Sequence, residues 1–346
     1  MTPLLIFTLV AILSYLIVSV IRRYAEKYQI LDHPSKRSSH IVPTPRGGGL
    51  AIVALVLAIG ICFGIQAGLN QRLIYLVCGA VIAWLGWRDD LHSLSPRVRF
   101  IVQGIVAAIS IWWLGYFKVV TIPMFGELRL GVIGIVITFL WIIGLTNAYN
   151  FMDGINGMAG GVALSAGIGW MWLASNINNP FVFWIALAIT AGSLGFLGHN
   201  WSPARIFMGD VGSTFLGYSF AVLPLISSDQ GGDALLLGTL LMWTIIMDAG
   251  VTFIGRLFKR ENVFAPHRSH LYQRLVIAGY KHETVSALYI VLTLLAGQLS
   301  FEWSQGHRFA APLIFLGLPL IWVILSIYAA RLRNIAPETK PLVSDS

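Results

Sequence analysis

Apolar residues in this chain neither alternate nor keep to one helical face; they arrive in long blocks separated by short polar clusters. Eleven blocks can be counted, at about 3–21, 47–66, 72–87, 100–116, 131–146, 158–175, 180–197, 211–226, 233–255, 283–300 and 309–330. A helix needs about 20 apolar residues to cross the hydrocarbon core of a bilayer. The blocks therefore predict an all-α polytopic membrane protein of about eleven transmembrane helices. The first block, Pro3 to Ile21, has no basic residue ahead of it and no small-residue cleavage pattern behind it, so it reads as a retained helix. Only over Val119 to Gly131 (VVTIPMFGELRLG) does the pattern alternate, around Phe125-Gly126, which predicts a short β-hairpin on the outer surface. Residues 1–335 read as a single integral membrane domain, and 336–346, polar with two prolines, as a disordered cytoplasmic tail.

Composition agrees with this pattern. Hydrophobic residues make up 57% of the 346 and charged residues only 11%, against about 45–50% and 25% in soluble domains, which excludes a soluble globular fold. Cys62 and Cys78 both fall in apolar blocks and imply no disulfide framework. The formal charge of +8 gains meaning from its placement. With the N-terminus outside, 19 of the 23 Lys and Arg fall in one set of loops; only Arg72, Lys118, Arg129 and Arg308 fall in the other. The positive-inside rule makes the first set cytoplasmic, with the C-terminus inside. Nucleic-acid binding would rest on the basic charge alone, without any soluble basic domain to carry it.

Charge beside a membrane span is costly and calls for a reason. Asp89, Asp90, Asp153, Asp210 and Asp248 all sit at the cytoplasmic ends of blocks. Each alone could cap a helix or pair with a local arginine, but five on one side suggest a site. Asp89 and Asp90 are adjacent and point about 100° apart on a helix, so they take distinct roles rather than forming one clamp. In LSPRVRF, Ser95-Pro96 reads as a helix start, and Arg97 and Arg99 lie at the interface either as anchors or as ligands of a lipid phosphate. Asn147, Asn150, Asp153 and Asn156 recur every third residue in NAYNFMDGING, forming a polar stripe if the segment is helical, and suit a ligand rich in hydrogen-bonding groups, such as a nucleotide. Asp210, between Gly209 and Gly212, precedes an apolar helix where backbone amides could approach an anion, and a lone carboxylate there suits magnesium. His267, Arg268 and His270 crowd the last large cytoplasmic loop; two histidines could hold a metal, while Arg268 between them favours pyrophosphate.

Taken together, DHPSKRSSHIVPTPRGGG (Asp32 to Gly49), Asp89-Asp90, NAYNFMDGING, HNWSPARIFMGDVGS (His199 to Ser213), Asp248 with Arg256, and HRSH (His267 to His270) resemble the polyprenyl-phosphate N-acetylhexosamine-1-phosphate transferase family, whose members include phospho-MurNAc-pentapeptide translocase and the enzymes that start O-antigen synthesis. The resemblance covers nearly the whole chain. It implies transfer of a sugar 1-phosphate from a UDP-N-acetylhexosamine to undecaprenyl phosphate, with Mg²⁺ or Mn²⁺ in its place, releasing UMP at the cytoplasmic face of the bacterial inner membrane. It implies magnesium at Asp210, with Asp89 and Asp90 beside the acceptor phosphate and metal. It implies uracil contact by Asn200 and Phe207, a nucleotide pocket lined by Asn147, Asn150, Asp153 and Asn156, and donor pyrophosphate at His267, Arg268 and His270. Arg97, Arg99 and His40 fall to the lipid phosphate, and a homodimer is a family expectation.

Two departures stand out. Asn156 occupies a position where several relatives carry aspartate, and HRSH replaces a run of three histidines seen in the translocase branch, which points to the O-antigen-initiating branch. The sugar stays open among N-acetylglucosamine, N-acetylgalactosamine, N-acetylfucosamine and N-acetylquinovosamine. Direct attack by the lipid phosphate, with Asp89 positioning it or taking its residual proton, is the expected chemistry. The competing class is a transporter or flippase of lipid-linked or anionic substrates; transporters, however, place coupling charges near the bilayer midplane, whereas here charge gathers at one face.

Overall fold

The structure is a computed structural model that describes residues 2–34, 42–63, 69–227, 233–262 and 267–335; His40 and the 336–346 tail lie outside the described residues. Each of the eleven apolar blocks holds helix among its described residues. The helices are α1 (Pro3–Lys27), α2 (Gly49–Phe63), α3 (Leu69–His92), α4 (Pro96–Leu114), α5 (Ile133–Phe151), α6 (Met158–Asn176), α7 (Pro180–Asn200), α8 (Asp210–Ser227), α9 (Ala234–Leu241), α10 (Trp243–Phe258), a short α11 (Leu271–Ile277) and α12 (His282–Ser304). The last block begins as α13 (Ala310–Pro312), passes through a π-helical turn at Leu313–Gly317 and ends as α14 (Leu318–Ile335). Among the described residues, seven helices are long and apolar enough to cross a membrane, eight if α9 and α10 form one span.

The ninth block departs from the expected single span, because α9 and α10 meet at 82° across Met242. Both halves pack on α12, and each also meets partners of its own. Gly238 seats α9 directly against Pro224 of α8, whereas Asp248 on α10 receives the backbone of α11. The alternating segment is a hairpin as expected, with β3 (Val119–Ile122) antiparallel to β4 (Gly126–Arg129) and Ile122 opposite Gly126. A second, unforeseen pairing joins β1 (Leu31–Asp32) to β2 (Thr44–Pro45).

α8 is the hub, since every residue from Val211 to Ser227 is buried. A helix buried on all sides needs neighbours around its whole circumference, and α2, α3, α5 and α9 supply them. Its polar groups find partners on α3, α4 and α5: Ser219 with Tyr75 at 3.0 Å, Tyr218 with Ser110 at 3.0 Å, and the Ala221 carbonyl with the Trp141 indole at 2.9 Å. Peripheral helices leave large apolar side chains outside, such as Leu4 on α1 and Trp112 on α4, as expected of a lipid-facing rim. Around α8 the C-terminal ends of α3 and α5 and the N-terminal ends of α4 and α8 come together.

Candidate active site

The site is assembled at the start of α8. Asp90, near the end of α3 and 2% exposed, accepts the backbone N–H of Asp210 at 3.0 Å and of Val211 at 3.1 Å. A carboxylate at free helix amides satisfies donors that the helix cannot and is favoured by the helix dipole. The anion that these amides approach is therefore the protein's own carboxylate. Two glycines permit the contact. A side chain on Gly86, one turn before Asp90, would meet the Asp210 carbonyl oxygen at 2.4 Å; Gly209 is left-handed at φ +78° and its added carbon would meet Asp90 Oδ2 at 2.6 Å.

Asp89 points elsewhere. Its Oδ1 accepts the Leu94 N–H at 2.6 Å, closing the turn into α4, and its Oδ2 pairs with Arg99 Nη1 at 2.9 Å. The turn is set by Ser95, which accepts the Val98 N–H, and by Pro96 at the first helical position. Arg99 also lies 3.9 Å from Asp210 Oδ2. Arg97, two residues away and about 200° round the helix, is exposed and does not share this cluster. The Asp210 side chain is 33% exposed. Among the described residues no three His, Cys, Asp or Glu side chains converge on a common ion position.

The expected polar stripe is divided, because α5 stops at Phe151 and only Asn147 and Asn150 are helical. Asn147 is turned inward, donating to Gln103 Oε1 at 2.7 Å and the Ile143 carbonyl at 2.8 Å. Asn150 accepts the Ser213 hydroxyl at 2.6 Å and so binds the α5 end to α8. Asp153 lies in the turn that follows, where burial, then the charges of Asp90 and Asp32, push its carboxyl well up from the usual range. Asn156 is fixed through its backbone, its N–H to His282 at 3.5 Å and its carbonyl to Ser286 at 2.7 Å.

Asn200 is 2% exposed with both ends of its amide engaged: Oδ1 accepts the Gly157 N–H and Nδ2 donates to the Ile206 carbonyl, each at 2.9 Å. It clamps the 152–157 turn to the 201–209 loop. Phe207, part exposed, is tied by its backbone to the end of β2 and the residues after it, its N–H to the Pro45 carbonyl at 2.8 Å and its carbonyl to the Gly48 N–H at 2.9 Å.

The HRSH loop has its own anchor. Asp248 Oδ1 accepts the Leu271 N–H at 2.8 Å and lies 3.3 Å from His270 Nδ1, while its Oδ2 accepts from the Tyr272 N–H and the Tyr289 hydroxyl. His267 Nδ1 faces the Ser269 hydroxyl at 2.9 Å, and the two imidazoles lie 5.0 Å apart. Burial, with the His270 and Arg256 charges, pulls His267 down to about 4. Arg268 follows on the same loop, close enough for its charge to act on Tyr272. Tyr272 in turn donates to the Phe151 carbonyl at 3.0 Å, so the loop is joined to the Asp153 turn.

Gln103, Ser213 and Arg46 escaped the sequence reading; Arg46 Nη1 lies 4.0 Å from Asp90 Oδ1. The available signal for the α3–α8 contact was Gly86, a small residue four positions before a buried charge.

Residues 72–228 match the model of glycosyl transferase family 4. The chain is 31% identical to a probable undecaprenyl-phosphate N-acetylglucosaminyl 1-phosphate transferase of Bacillus subtilis, over 92% of this chain and 86% of that one. It is 28% identical to an undecaprenyl-phosphate alpha-N-acetylglucosaminyl 1-phosphate transferase of Yersinia pestis, over 90% and 87%. A decaprenyl-phosphate N-acetylglucosaminephosphotransferase of Mycobacterium leprae is 28% identical, over 80% and 78%.

Proposed function

Because the chain belongs to glycosyl transferase family 4, we propose that it transfers N-acetylglucosamine 1-phosphate from UDP-N-acetylglucosamine to undecaprenyl phosphate at the cytoplasmic face of a bacterial inner membrane, opening synthesis of a surface glycan such as O-antigen. The observation that carries this reading is the Asp90 contact with the start of α8, which gathers Asp89, Arg99 and Asp210 at one end of the bundle. The N-acetylglucosamine is chosen because the relatives named above carry it in their names. A bent pair such as α9–α10 also occurs in transporters, but its break lies at apolar Met242 and Trp243 rather than at a charged residue, which favours the enzyme.

The residues present fit a magnesium ion, or manganese in its place. Magnesium takes one or two carboxylates and completes its shell with water and substrate phosphates. Asp210 is the carboxylate left part exposed for it, whereas both oxygens of Asp90 already face helix amides. Bound there, the ion would neutralise charge on the donor's pyrophosphate.

An oxygen of the lipid phosphate attacks the sugar-bearing phosphorus of the donor; that bond forms as the bridging P–O bond to UMP breaks, and UMP leaves with the electron pair. With a second pKa of about 6, the lipid phosphate is mostly dianionic near neutrality and needs little help from a base. Asp89 is suited to positioning rather than attack, since both its oxygens are engaged, one by the Leu94 amide and one by Arg99. Asn150, held against α8 by Ser213, and Asp153, in the turn that Asn200 clamps through Gly157, are assigned to the nucleotide side.

Detergent-purified protein supplied with undecaprenyl phosphate, Mg²⁺ and each of the UDP-linked N-acetylhexosamines should release UMP, fastest from UDP-N-acetylglucosamine. No release from any of them overturns the transferase, and a phosphosugar trapped on Asp89 overturns direct attack.

A further inference from the structure

Arg46 stands just after β2, on a segment whose backbone is held on both sides. Its own N–H reaches the Ile30 carbonyl at 3.3 Å, and the neighbouring Pro45 carbonyl and the Gly48 and Gly49 amides bond to Phe207 and Met208 at 2.8–2.9 Å. The side chain is 28% exposed. Its nearest acid is Asp90 at 4.0 Å, beyond hydrogen-bond range, and both Asp90 oxygens already accept backbone N–H groups. Its Nε is buried with no hydrogen-bond partner among the described residues.

A guanidinium carries five N–H donors and does not lose its proton, so an unmatched buried donor on it costs free energy until an acceptor arrives. The other arginine of the cluster, Arg99, is already paired with Asp89 at 2.9 Å. Asp89 and Asp90 diverge on α3, so Arg99 and Arg46 stand on different flanks of the carboxylate pair. An acidic cluster that must receive anionic substrates needs such a cation with donors to spare.

We propose that Arg46 is a phosphate-binding residue of this site, donating from its guanidinium to a phosphate oxygen of an incoming substrate beside Asp90. The inference rests on the transferase reading for its two phosphorylated candidates, the donor's diphosphate and the acceptor's lipid phosphate.

Full-length protein in detergent can be titrated with UDP and with farnesyl phosphate, using uridine and farnesol as phosphate-free controls. Arg46→Gln should weaken at least one phosphorylated probe by about tenfold or more, with Arg46→Lys recovering part of the loss because charge returns without the planar fork. Loss on UDP assigns the donor diphosphate; loss on farnesyl phosphate assigns the acceptor. Both phosphorylated probes binding within about twofold of wild type, or an equal loss on the phosphate-free controls, overturns the proposal; the latter marks Arg46 as a structural counter-ion of Asp90. Wild-type UMP release is measured in parallel: release together with unchanged Arg46→Gln binding refutes Arg46 alone, while absent release refutes the transferase reading.

Discussion

Asp90 and Asp210, 120 residues apart in the chain, are joined by a hydrogen bond of 3.0 Å from the backbone N–H of one to the carboxylate of the other. This contact makes Asp210 the first residue of a helix whose start is neutralised from within, and leaves its side chain facing Asp89 and Arg99. Asp248 repeats the device at α11, where Leu271 and Tyr272 supply the amides. Two buried aspartates thus do architectural work, each fixing a loop of the candidate site.

Asp90→Asn and Asp210→Asn should therefore separate. An asparagine at 90 sets an NH₂ group against one helix amide, a cost of about 1–3 kcal/mol, so melting temperature and UMP release should fall together. Asp210→Asn removes one of several crowded like charges and only a 3.9 Å ion pair. Its melting temperature should hold or rise while UMP release drops by about a hundredfold or more, and further than in Asp89→Asn even at saturating Mg²⁺. Unfolding followed by tryptophan fluorescence beside the UMP assay checks this, and equal residual rates for the Asp89 and Asp210 variants would contradict it.

Gly86→Ala would drive a methyl group to 2.4 Å from the Asp210 carbonyl oxygen. Overpacking of this kind costs about 1–3 kcal/mol, and the shift of α3 from α8 should reduce UMP release without touching any charged residue. Gly144→Ala, with nothing within 4 Å of the added carbon, is the control and should leave activity near wild type.

Arg99 and Arg97 are two residues apart but differ in surroundings. Arg99→Gln leaves a buried Asp89 carboxylate without its 2.9 Å partner and should lower kcat by about tenfold or more. Exposed Arg97→Gln should change kcat little. A comparable loss in Arg97→Gln would overturn this separation and give Arg97 a part in the site as well.

His267 should stay neutral through the physiological range, since its pKa is drawn from the usual 6.5 to about 4. Below pH 6.5 the unfolded chain takes up a proton that the folded one refuses until about pH 4. Its contribution to stability is thus present above pH 6.5 and is lost as pH falls toward 4. Histidine NMR should find the His267 imidazole uncharged at pH 6, and His267→Gln should flatten the fall of melting temperature over that interval.

The sequence by itself determined the class of the protein and much of its chemistry. Blocks of apolar residues can satisfy their backbone in a bilayer only as helices, so the helical blocks, with Asp89 and Asp90 near the end of α3 and Asp210 at the start of α8, were legible from one-dimensional order, whereas Asp248 lies inside α10 rather than at its end. Local geometry was legible as well, in the Ser95-Pro96 helix start and the 119–131 hairpin. What the tertiary structure decided is the task of each polar group, because a side chain's partners come from distant segments. Asn200 is a clamp because Gly157 and Ile206 meet it from either side, and the asparagine stripe divides because α5 ends at Phe151. Asp90 meets the start of α8 because Gly86 lets two backbones touch. Residue type states what a group can bind, but only packing states what has already bound it.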